Sequence, residues 1–99
     1  MPDGHDYTAN LRKNAMRMAI VMLGLREFGA LSLAFSLSGK PIGEDDLGRI
    51  QRRVVARVKE AKVIGFSEAE VAEIIRAGIE ELRTSMRDAI ERARKIEVE

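Results

Sequence analysis

Residues Ser67 to Ile96 constrain this chain more than any other stretch, because they read as one long amphipathic helix. At 100° per residue from Val71, the side chains of Val71, Ile75, Gly78, Leu82, Met86, Ala89, Ala93 and Ile96 fall within an arc of about 80°. Ile74 widens this seam on one side and Ile79 and Ile90 on the other, while Glu73, Arg76, Glu80, Glu81, Arg83, Arg87, Asp88, Glu91 and Arg94 take the remaining surface. A helix of that length spans roughly 45 Å. A compact globule of about this size has a radius of gyration near 13 Å, so it leaves part of such a seam for a second copy of the chain. The expected dimer or partner interface is therefore Val71, Ile75, Ile79, Leu82, Met86, Ala89, Ile90 and Ala93.

The start of this helix is marked by Ser67 and Glu70, a pair that can form a capping box. Glu68 and Glu70 lie at the positive end of the helix dipole, and Arg92, Arg94 and Lys95 near the negative end. Upstream, Gly39, Lys40, Pro41, Ile42 and Gly43 break the chain. Between the breaker and Gly65 a second helix is predicted over 45–64, capped by Asp45 or Asp46 and carrying Leu47, Ile50, Val54, Val58 and Ala61 on one side. Gly65 is the expected left-handed stop, with Phe66 as its apolar contact. The short link to Ser67 predicts an antiparallel hairpin.

The first helix is predicted over 8–37, with possible breaks at Gly24 or Gly29, after a disordered leader over 1–6. From 18 to 25 it is apolar on almost every side, the pattern of a buried helix. Arg17, Arg26 and Glu27 bracket only eight apolar residues, too few for a membrane span, so no membrane partner is expected. Met16, Met18 and Met22 read first as core filler and second as an adaptable partner face. Leu31 to Ser38 fits two periods. Phe28, Leu31 and Phe35 continue the helix, whereas Leu31, Leu33, Phe35 and Leu37 alternate with small residues as a strand would. Helix is the favoured reading, and a strand over 31–37 paired between subunits is the alternative.

The whole chain, 99 residues with a net charge of +1, carries no general field toward nucleic acid or anionic lipid. It has no cysteine, hence no disulfide framework or thiolate site, and it shows no secretory leader, so a cytoplasmic protein is expected. The single histidine, His5, lies in the predicted leader, and the carboxylates have the spacing of exposed helix faces, so neither catalytic, metal nor cofactor residues are expected. Locally the middle helix is basic, with Arg49, Arg52, Arg53, Arg57, Lys59 and Lys62. These spread over most of its outer arc, as a solvated face able to pair with acids of the last helix.

The stretch Val58 to Leu82, with Gly65-Phe66-Ser67-Glu68-Ala69-Glu70-Val71 and Ile74-Ile75-Arg76, resembles the helix-turn-helix portion of ribbon-helix-helix repressors. That resemblance implies a dimer built on a paired strand at 31–38, with Ser32, Ala34 and Ser36 facing DNA. The leading expectation is an all-α domain over 7–99 of three helices, acting without catalysis as a small regulator or adaptor through helical protein contacts, as a homodimer. The alternative is a dimeric DNA-binding regulator using Arg49, Arg52, Arg53 and Arg57.

Overall fold

A computed structural model describes residues 4–98, with side chains over 7–96. These residues form three helices: α1, Gly4–Leu37; α2, Glu44–Lys59; and α3, Glu68–Val98. Among the described residues there is no strand, so the chain is all-α as expected. The leader expected over 1–6 lies partly outside the described residues, and its remainder is helical backbone at the start of α1.

The helices run up, down and up. Ile20 of α1 lies against Gly78 of α3, and Gly24 of α1 against Leu82, so these two helices are parallel. Arg94 near the end of α3 bonds Glu44 at the start of α2, so that pair is antiparallel, as the hairpin prediction required. At 1.5 Å per residue α1 and α3 extend about 51 and 46 Å, whereas α2 reaches only about 24 Å. The result is a rod of 54 × 28 × 17 Å with a radius of gyration of 16.4 Å.

Its core is Ile20, Ile50, Val54, Val55, Val58, Ile74, Ile79, Leu82 and Met86, with Met16, Phe28, Leu31, Phe35, Val63, Phe66 and Ile75 packed around it. The glycines make the close approach possible. A Cβ on Gly78 would lie 2.8 Å from Ile20 Cγ2, and one on Gly24 would lie 2.8 Å from Leu82 Cδ1, inside van der Waals contact.

One favoured reading holds against its alternative, and two expectations are corrected. Residues 31–37 continue α1, because Phe28, Leu31 and Phe35 lie on its inner face and pack on the core. The strand alternative, and with it the paired ribbon of the repressor resemblance, does not form. The middle helix ends at Lys59 rather than 64, with Glu60 N–H donating to Arg57 O at 3.2 Å. Val63 and Phe66 then pack from an irregular segment instead, and Val, Ile and Gly at 63–65 contribute little helical propensity to oppose this. Finally, Gly43 rather than an aspartate is the N-cap of α2, and Asp46 reaches back so that Gly43 N–H donates to its Oδ2 at 2.9 Å.

The breaks considered at Gly24 and Gly29 do not form: α1 runs unbroken to Leu37, and Gly39 just beyond it has a φ of +76°, which suits a residue without a Cβ. Gly65 is left-handed as expected, at φ +94°, but it lies beyond the end of α2 at Lys59 and is not that helix's stop. The capping box expected at the start of α3 forms. Ser67 N–H donates to Glu70 Oε1 at 3.0 Å and Glu70 N–H to Ser67 Oγ at 3.2 Å, both arms of the capping box.

Candidate functional site

The seam of α3 finds most of its cover within the chain. Leu82 and Met86 are wholly buried and Ile79 nearly so, while Val71, Ile75 and Ile90 are half-buried. Ala89 and Ala93 are exposed, and with Ile90 they line an open crevice of about 440 Å³ against Phe28, Ile42 and Leu47. Of the eight residues expected at an interface, the central three are thus occupied by α1 and α2.

The unpartnered apolar surface lies elsewhere, on α1. Periodicity could not single it out because α1 is apolar on nearly all sides. Packing separates two faces: Ile20 and Gly24 face inward, whereas Tyr7, Leu11, Met18, Met22, Leu25 and Leu33 are exposed, Met18 at 57% and Met22 at 61%. Met16 sits against the core, so the methionine trio divides. Leu11, Ala15, Met18, Met22, Leu25, Gly29 and Leu33 advance by steps of three and four, a continuous stripe along one side of a helix. Arg26 is the charged residue nearest the middle of this stripe.

A second surface combines α2 and α3. A groove of about 580 Å³ is lined by Gly48, Gln51, Arg52, Val55, Ala56, Lys59, Arg83 and Arg87. Its lining contains four cations and no acid. Among the described residues, ion pairs engage other groups: Lys13 with Glu70 at 3.5 Å, Arg17 with Glu81 at 3.5 Å, Arg57 with Glu60 at 3.9 Å, and Arg94 with Glu44. Two acids of α3, Glu70 and Glu81, thus pair with α1 rather than with the basic middle helix. Of the four arginines considered for nucleic acid, Arg52 lines the groove; Arg49, Arg53 and Arg57 are exposed outside it. Arg83 and Arg87, one turn apart on α3, complete the cluster and belong to a different helix, which is why inspection of the basic middle segment alone did not reveal them.

Among the described residues no polar or charged side chain is buried, and no three His, Cys, Asp or Glu residues converge to hold a metal. The side chain of His5 lies outside the described residues. Glu70 has a lowered pKa, but the cause is structural. The Ser67 backbone N–H and then its hydroxyl hold the carboxyl below its ordinary value of 4.5, with Lys13 adding to the effect. Arg12 stacks over Phe66 at 5.3 Å from the ring centroid, tying the segment after α2 to α1.

Compared with known proteins, the chain matches no family model, and neither a curated protein nor a solved structure matches it.

Proposed function

We propose that this chain is a non-enzymatic helical interaction module, a small regulator or adaptor whose working surface is the outer face of α1 and whose first occupant is a second copy of the chain. The observation that supports it is the exposed row Tyr7, Leu11, Met18, Met22, Leu25 and Leu33 on a helix whose opposite side forms the core. The row advances by threes and fours, which suits another helix laid alongside, and Ala15 and Gly29 would let the two backbones approach closely. This moves self-association from the seam of α3 to α1.

Magnitudes set the form of the test. A symmetric α1 pair brings twelve partly exposed side chains together, each worth about 1.5–3 kcal/mol on complete burial, for a gross gain on the order of 10 kcal/mol. Association itself costs about 4–15 kcal/mol, so the dimer dissociates within reach of ordinary concentrations. Light scattering coupled to size exclusion, run across a concentration series, should show a species of twice 11.0 kDa at the upper end. The double substitution Met18→Glu, Met22→Glu should leave an 11.0 kDa species with its helicity intact. A wild-type chain that stays monomeric throughout refutes this reading.

A lipid bilayer is the second reading, favoured by one observation: Tyr7–Leu37 is long enough to cross a membrane and contains an 18-residue window of mean hydropathy 1.6. Against it, Arg26 and Glu27 fall in the middle of the stretch, where charge is costly in lipid. Lys13 and Arg17 also hold α1 to the charged helix α3. Co-sedimentation with neutral vesicles separates the two: binding by wild type that is lost in the double variant would assign the face to lipid.

A further inference from the structure

We infer that the groove between α2 and α3 is a docking surface for the phosphate backbone of duplex DNA. This goes beyond the proposed α1 contact and depends on different residues. Arg52 and Lys59 come from α2 and Arg83 and Arg87 from α3, with no acid in the lining and, among the described residues, no ion pair to any of the four. The chain as a whole is nearly neutral, so this cluster is charge sorted onto one surface rather than a share of a general excess. Arg52 and Lys59 are two turns apart, about 10 Å, and Arg83 and Arg87 one turn, about 6 Å. Arg76 lies on the same strip of α3 and extends it to about 16 Å; beyond Arg87 the strip ends at Arg94, which Glu44 already pairs.

The character of the groove selects the anion. All four cations are exposed on flexible stems, and the lining offers no buried donor to fix a small phosphate. Such a site gains little from one anion but sums many weak contacts along a polyanion, releasing a counterion for each phosphate neutralised. No lining residue is aromatic, so there is nothing on which the bases of a single strand could stack. Duplex RNA is recognised through 2′-hydroxyl contacts across its minor groove, and Gln51 is the one neutral polar side chain in the lining. Gly48, Val55 and Ala56 keep the floor low, so a backbone ridge can settle between the two walls of charge.

The test is fluorescence anisotropy of a labelled random-sequence DNA duplex titrated with the full chain between about 50 and about 200 mM salt. Four phosphate contacts predict a slope of log affinity against log salt of about −3.6, hence a loss of about 100-fold across that range. Arg83→Gln with Arg87→Gln should reduce the slope by about 1.8. Arg52→Gln with Lys59→Gln, on the opposite wall, should do the same, which guards against a misfolded variant. Arg49→Gln with Arg53→Gln removes equal charge outside the groove and should leave the slope unchanged. The inference is overturned by absence of binding at about 50 mM salt, by equal loss in the Arg49/Arg53 variant, or by tighter binding to single strands or to anionic lipid vesicles than to the duplex.

Discussion

Replacing Gly24 by Ala tests the interlock of α1 and α3 with a single methyl group. In an exposed helix interior the change is worth about 1 kcal/mol in favour of folding, because alanine loses less conformational freedom than glycine. At Gly24 the added Cβ would meet Leu82 Cδ1 at 2.8 Å and Cγ at 3.1 Å. Leu82 is wholly buried and cannot swing aside. Overpacking of this kind costs about 1–3 kcal/mol, so the net expectation is a destabilisation of about 0–2 kcal/mol. Gly48→Ala supplies the reference within α2. There a Cβ meets only the end of the flexible Arg52 side chain at 3.4 Å, and stability should rise by about 0.5–1 kcal/mol.

The informative quantity is the difference between these two variants, about 1–3 kcal/mol, which cancels the common backbone effect. It is read by urea denaturation followed by far-UV circular dichroism at one protein concentration, because self-association makes apparent stability concentration-dependent. Leu82→Ala alone should cost about 2–5 kcal/mol. Combined with Gly24→Ala it should cost less than the sum of the two, since the new methyl occupies part of the space vacated. A Gly24→Ala variant as stabilised as Gly48→Ala, or strict additivity with Leu82→Ala, would refute the helix contact described above.

The cap of α3 yields two further expectations. Ser67→Ala removes the hydroxyl that accepts from Glu70 N–H and should destabilise the chain by about 1 kcal/mol, measured in the same urea assay. The Glu70 carboxyl is held below its ordinary value of 4.5 in the folded chain. The folded state therefore favours its ionised form, and that stabilisation is present above the unfolded value and lost as pH falls through the folded one. The stability advantage of wild type over Glu70→Gln should accordingly shrink from about pH 6 to about pH 3; an advantage that grows with acidity would contradict the assignment.

Most of the helical architecture was legible in the chain itself, because its causes are local. The narrow seam from Val71 to Ala93 follows from side chains repeating every 3.6 residues. The capping box at Ser67 and Glu70 and the break around Gly39 depend on neighbours within four positions. Where local signals were balanced, long-range packing settled the outcome. Residues 31–37 alternate like a strand, yet Phe28, Leu31 and Phe35 together on one helical face gain cover from the core. The middle helix stops at Lys59 while Val63 and Phe66 pack from outside it.

The surfaces relevant to function were the least legible. An amphipathic helix such as α3 announces its inner face, but α1 is apolar all round and has no preferred direction of its own. The notches at Gly24 and Gly78 orient it by admitting Leu82 and Ile20, leaving Met18 and Met22 outside. The basic groove has a similar origin. Arg52 and Lys59 belong to one helix and Arg83 and Arg87 to another. Each helix alone shows only a scattered set of charges, and the cluster exists because antiparallel packing sets two of its cations opposite the other two.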